Sequence, residues 1–549
     1  MTENKIKDEA GPGPAAAIMK WLRQGNMPRW IALGLFVGLI SGLGAAGFFY
    51  LLELATHYSF NVLSGFPSLP PSGERIFAAT EETPVFNRWI FFALPVVGGL
   101  LSGLIVYKFA PEAEGHGTDA MIKAFHHEHG LIRSRVPLVK SVATIITLAS
   151  GGSAGREGPI AQIGGGVGSW LAEKLRLSTR DRRILLLAGT GGGLGAIFRA
   201  PLGGAITALE VIYREDLETD AMIPTVISSI TAYTVFAQVF GFNRIFHAAT
   251  PVFRDPREIP FYVALGLICV PIGVLYIRLF YGLRDRVFRP LALPDWLKPA
   301  LGGLGVGLIG LGLPEVYGNG WGQIELAMLG QLSIGLMALL VAGKILATSF
   351  TIGSGGSGGV FGPTLFIGGM IGGVVGGLSN QFFPEVVSAS DQHAFVLVGM
   401  ASFFAGVANA PLGALMMVAE MTGGYGLVAP LLLVSMIALI FTRKWSIYKS
   451  QVKNKFASPA HMGEFTVNVL EELKVGEVFE PRTDIPRIPA RLCFRDIQAL
   501  VSGDENSAWP VVREDGGIIG ILSMDVTRPI LFEREMECLV NAEDLAIPA

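Results

Sequence analysis

The 549 residues are 51% hydrophobic and 16% charged, with a mean hydropathy of +0.50, a balance that excludes an ordinary soluble enzyme. Apolar tracts at Trp30–Leu54, Trp89–Phe109, Phe261–Ile277 and Leu427–Phe441 are long enough to cross or nearly cross a bilayer. A net charge of −3 says nothing of partners, though no nucleic acid is expected, and Cys269, Cys493 and Cys538 form neither a metal spacing nor a disulfide framework.

The composition predicts an all-α polytopic membrane protein with a small α/β tail. Residues 1–28 are polar, and Lys20, Arg23 and Arg29 flank the first span, which places the N-terminus in the cytoplasm. The first apolar run is longer than a signal-peptide core and lacks a clear cleavage site. From 29 to 462 apolar tracts alternate with short loops. Ile160–Leu171 and Ala410–Met421 are too short for a full crossing, and 71 glycines fit broken, tilted helices around an ion site. His126, His127 and His129 read as a solvated face without a ligand set, so no metal and no cofactor are expected.

The stretch Ala149–Gly168, ASGGSAGREGPIAQIGGGVG, sets Glu157 between glycine-rich turns and an apolar run. Pro159 marks a helix start, where its missing N–H is harmless. A helix N-terminus carries partial positive charge and open N–H donors, which suits an anion. Glu157 is itself an anion, able to hold such a seat when charged and to leave it when protonated. Its bland alternative is a surface ion pair with Arg156.

The motifs recur. Ala200–Glu210 (APLGGAITALE) resembles Ala410–Glu420 (APLGALMMVAE), and GREGP at 155–159 is matched by GVFGP at 359–363. This order predicts two repeats, about 30–220 and 260–457, of the kind that in transporters have inverted topology and bind where their broken helices meet. Glu210 and Glu420 are expected to share a packing or capping role. Beyond Thr442, Ser446–Met462 reads as a last membrane-associated helix and exit. Residues 463–549 form a cytosolic module, with strand, tight turn and strand from Trp509 to Leu522 and helical tracts at Arg495–Leu500 and Val526–Leu531.

These motifs resemble the CLC family of chloride channels and chloride/proton antiporters: GREGP, GVFGP, Ser446-Ile-Tyr448 and the exit Lys455-Phe-Ala-Ser-Pro-Ala-His461 stand in the family's order. The resemblance implies transport of chloride and similar anions, with Glu157 as the gate. It assigns anion contacts to His116, Gly117, Gly155, Arg156, Gly158, Val360, Phe361 and Tyr448. It further implies a homodimer in lipid with one pathway per subunit, both termini cytoplasmic, in a bacterial inner membrane. The tail resembles one CBS module, single or truncated, which argues against adenine nucleotide and for a role in assembly.

Two departures stand out. The family's Gly-Ser-Gly-Ile-Pro segment is Glu114-Gly-His-Gly-Thr-Asp119 here, so His116 replaces a serine, and either its ring or the Gly117 amide meets the anion. A histidine contact makes anion binding pH-sensitive. The antiporters' inner proton-relay glutamate is Val211, which cannot carry a proton, and this tilts the expectation toward a passive voltage- or pH-gated channel, with coupled exchange through Glu157 as the alternative. Arg199, at a position where the family often has asparagine, has no account from sequence.

Overall fold

The computed structural model describes residues 27–77, 85–246, 252–388, 391–462, 485–501, 506–528 and 539–548. Lys20, Arg23, Cys538 and the end of the Val526–Leu531 tract lie outside them. The chain divides into two compact units, Met1–Gly463 and Glu464–Ala549.

The first unit is helical. Its first half holds α1 (Met27–Thr56), α2 (Arg88–Phe109), α3 (Gly117–His127), α4 (Val136–Ala149), α5 (Glu157–Lys174), α6 (Thr179–Phe198), α7 (Pro201–Glu210) and α8 (Met222–Phe240). The second half repeats the series as α9 (Ile259–Leu283), α10 (Lys298–Gly312), α11 (Trp321–Met328), α12 (Ile334–Gly353), α13 (Phe361–Phe382), α14 (Gln392–Ala408), α15 (Pro411–Thr422) and α16 (Val428–Thr442). Among the described residues six helical segments are long and apolar enough to cross a membrane, and others, such as α7 and α15, are much shorter. Leucines and isoleucines such as Leu43, Leu308 and Ile440 remain exposed on the outside, as lipid-facing helices require.

The halves are related by reciprocal contacts, the mark of inverted repeats meeting about a two-fold relation. Gly155 and Gly359 exchange both backbone hydrogen bonds, each at 2.6 Å, as an antiparallel pair. Glu210 accepts from the Leu412 and Gly413 amides at 3.2 and 2.7 Å, and Glu420 accepts from Leu202 and Gly203 at the same two distances. Each carboxylate therefore caps the proline-started helix of the other half, which satisfies two open donors and opposes the helix dipole. Lys140 donates to the Ala113 and Gly115 carbonyls at 3.0 and 2.6 Å; Lys344 does the same to Val316 and Gly318 at 3.0 and 2.7 Å. Helices α5 and α6 cross at Gly164 and Gly189, and α13 and α14 at Gly368 and Gly399, where a methyl group on any of the four would strike backbone.

The Ser446–Met462 segment is not the expected helix. Apart from a short 3-10 turn at Lys455–Ala457 it is an irregular strap. Its backbone groups are used elsewhere: Ile447 N–H binds Val407 O, Ser450 N–H binds Asp119, and the Val452 and Lys453 carbonyls accept from Arg214 and Glu215. A chain whose amides and carbonyls serve neighbouring elements cannot also close i to i−4 bonds. The strap ends on a buried cluster in which Glu218 accepts from Tyr213 at 2.7 Å and His461 at 2.9 Å, with Lys455 at 3.1 Å. Burial works against the Glu218 charge, but the His461 and Tyr213 hydrogen bonds and the Lys455 ammonium outweigh it and hold the carboxyl at about 2.

The second unit has a four-stranded sheet in the order β1 (Ile488–Pro489), β2 (Ala508–Val512), β3 (Ile518–Ser523) and β4 (Ile547–Pro548). The expected hairpin is β2 with β3, antiparallel, and β1 adds to β2 in parallel. Helix α17 (Phe494–Val501) covers it, with Ile497 and Val501 packed with Trp509, Val511 and Leu522.

Candidate functional site

Helices α5 and α13 differ from α2, α6 and α12 in one respect. Those three begin on Asn87, Ser178 and Ser333, whose side chains cap their first amides. Helices α5 and α13 begin at Arg156 and Val360 with no side-chain cap. Their N-termini adjoin each other at the Gly155–Gly359 pair, deep in the unit. Two sets of open N–H groups and two positive dipole ends thus converge where the halves meet.

Glu157, fully buried, fills that place. Its Oε2 accepts from Gly362 N–H at 3.1 Å, while Oε1 has no partner among the described residues. A methyl group on Gly155 would collide with Oε2, so glycine there is what lets the carboxylate fold back onto α13. Phe361 contributes backbone at this end, and its ring packs between Phe198 and Phe404 at 4.8 and 4.0 Å. Gly158 touches the opposite turn, because a Cβ on Gly117 would lie 2.6 Å from Gly158 O.

Arg156 does not pair with Glu157. Its guanidinium, also fully buried, turns to Glu74 at 2.5 Å and lies over Phe49 and Trp321 at 5.0 and 5.8 Å. Consecutive residues on a helix point different ways, and here that leaves Glu157 without a direct ion pair to Arg156, whose hydrogen bond goes to Glu74. Glu74 was not visible as a site residue in the sequence, since it lies 82 positions away in a short turn.

His116 and Tyr448 form the other side of the site. Both are buried, with ring centroids 5.6 Å apart. Among the described residues the His116 Nδ1 has no partner, and the Tyr448 hydroxyl, with Thr118 beside it, makes no hydrogen bond of good geometry. Together with Glu157 Oε1, three buried polar atoms are left unmatched around one junction, and such atoms call for a ligand. His116 also lines a cavity of about 570 Å³ with Asp119, Glu114, Gln162, Phe280 and Arg284. In sequence His116 follows α1 and α2, two segments each long and apolar enough to cross a membrane, and two crossings would return it to the face where α1 starts. A second cavity, of about 100 Å³, is lined by Glu53, Glu74, Asn319 and Gly320.

Val211 sits at the end of α7, buried, its carbonyl bound by Gln451 at 2.7 Å. His126 departs from the expected solvated face: it is buried, between Ser458 at 2.8 Å and the Ile212 carbonyl at 2.9 Å, because the strap folds over α3. Arg199 now has an account. It takes φ +53° at the end of α6, as Asn409 takes +55° at the end of α14, and its guanidinium donates to Asn243 O at 2.6 Å. The buried Lys140 and Lys344, which brace the turns before His116 and Asn319, went unnoticed in the sequence. A signal was there: Pro-Glu-x-x-Gly-x-Gly occurs at 111–117 and again at 314–320.

Residues 98–443 match the family model described as voltage gated chloride channel. A putative chloride channel protein, ClcB-like, of Ralstonia nicotianae is 32% identical over 352 residues, 63% of this chain and 80% of the relative. An H(+)/Cl(-) exchange transporter, ClcA, of Vibrio cholerae is 32% identical over 439 residues, 78% of this chain and 90% of the relative. In shape, the chain resembles a slow cyanobacterial Cl-/H+ antiporter (TM-score 0.67, 22% identity, 81% of this chain and 99% of that one). It likewise resembles a CLC-type fluoride/proton antiporter (TM-score 0.64, 21% identity, 78% and 98%).

Proposed function

The chain belongs to the voltage gated chloride channel family, CLC, and from that premise we propose that it exchanges chloride for protons across a membrane, with Glu157 as gate and proton carrier. The observation that carries the reading is the seat of Glu157: its carboxylate lies on the open N-terminus of α13, where an anion would be held. Protonation removes the charge that the amide and the dipole hold, the side chain leaves, and chloride takes its place. Backbone at Gly155, Gly158, Val360 and Phe361, the Tyr448 hydroxyl and His116 or the Gly117 amide then line the path. None of these is a fixed full charge, so the anion binds firmly enough to enter and loosely enough to leave. Arg156 contributes its backbone rather than its guanidinium, which Glu74 retains.

The tilt toward a passive channel, drawn from Val211, gives way to its alternative. Coupled exchange is favoured by the relatives and structural neighbours, among them the Vibrio cholerae protein named an H(+)/Cl(-) exchange transporter. The same reading has the protein as a homodimer in a bacterial inner membrane, both termini cytoplasmic, with residues 463–549 as a CBS-like module serving assembly. The face where α1 starts is then the inner one. Flux in liposomes tests the proposal: an imposed chloride gradient drives protons uphill. A reversal potential that follows chloride alone, whatever the pH gradient, would refute exchange and restore the channel.

A further inference from the structure

We propose that His116 is the second proton carrier of this protein, moving protons between the inner cavity and Glu157; this rests on the exchange reading above. Exchange requires that a proton reach Glu157 from both faces, and Glu157 is sealed from the inner one. Val211 offers only carbon, and its carbonyl is already bound by Gln451. Of the titratable side chains lining the inner cavity, several are committed. Glu112 pairs with Arg133, Lys123 pairs with Glu128 at 2.6 Å, and Asp119 accepts from Ser450 N–H at 2.8 Å. His116 is different. It lines the cavity, and the turn it begins abuts Gly158, the residue after the gate.

Its chemistry suits a relay. A neutral imidazole accepts a proton at one nitrogen and releases one from the other. Among the described residues no hydrogen bond to Nδ1 fixes the tautomer, since that atom is buried without a partner. The charges that face the ring are mixed: Asp119 from α3, Lys140 from α4 and Arg284 beyond α9, while Glu114 lies in the loop before it. Tyr448 on the strap and Phe280 on α9 complete the surroundings. In the step, cavity water gives a proton to the imidazole and leaves hydroxide to the bulk. The imidazolium passes a proton to the Glu157 carboxylate as that side chain leaves its seat, and the ring returns neutral. An anion beside the ring pairs with the imidazolium in transit, so proton and chloride occupancy are linked at one ring.

The test is the ratio of proton to chloride flux in liposomes for wild type, His116→Ser and His116→Gln, each with and without Val211→Glu. Wild type shows a fixed ratio. In both single variants it falls by about tenfold or more, and Val211→Glu, which returns an acid to the inner route, restores it. Chloride flux in the same vesicles identifies folded variants, and either substitution suffices for the decision. A ratio unchanged in a folded variant from about pH 5.5 to 8 overturns the proposal. A fall that Val211→Glu leaves uncorrected assigns the loss to damaged structure and also overturns it. Absence of uphill proton movement in wild type would instead defeat the exchange reading itself.

Discussion

Glu157→Gln gives the sharpest prediction, because the substitution keeps shape and removes charge. In the structure the carboxylate holds the N-terminus of α13 through Gly362 N–H at 3.1 Å. A hydrogen bond to a charged group is worth about 1.5–3 kcal/mol, against about 0.5–1.5 kcal/mol for a neutral one. The dipole end adds about 0.3–1 kcal/mol for the charged form only. The glutamine is therefore a weaker competitor for the seat by about 1.5–2 kcal/mol, and chloride should bind more tightly by about tenfold or somewhat more. Calorimetric titration of chloride into the purified protein at pH 7.5 measures this directly. Wild type should approach the variant as the medium is acidified, and the variant should be indifferent to pH in this respect. Equal affinities within about twofold at both neutral and acid pH would show that the carboxylate does not compete with the anion, and the reasoning would fail.

Two further outcomes follow from the buried charges. Glu74→Gln removes the hydrogen-bonded counter-charge of the buried Arg156 guanidinium and should cost about 3–5 kcal/mol in unfolding, most of it recovered in Glu74→Gln with Arg156→Met; a loss under about 0.5 kcal/mol would mean the pair is not formed. Glu218, held at about 2 against its ordinary 4.5, contributes up to about 3 kcal/mol that is fully present above its unfolded value and fades as pH falls toward 2. The gap in thermal stability between wild type and Glu218→Gln should accordingly close on acidification below pH ~4, and a gap that widens there would contradict the assignment.

Sequence alone determined the class of molecule, the helix start that carries Glu157 and the duplication, because each is written locally. Apolar run length reports lipid, and glycine and proline around Glu157 mark a helix start that backbone can approach closely. The matched segments ending at Glu210 and Glu420 announced a shared role, and the structure adds that each caps the other's half. What tertiary structure decided depends on which faces meet across long stretches of chain. Arg156 looks in sequence like the partner of Glu157, yet the helix turns it toward Glu74. His126 looks exposed until the strap covers it, and Ser446–Met462 looks helical until neighbouring elements claim its backbone hydrogen bonds. Local pattern fixes what a segment is able to form; the partners supplied by distant segments decide which buried polar groups are satisfied, and so where each charge points.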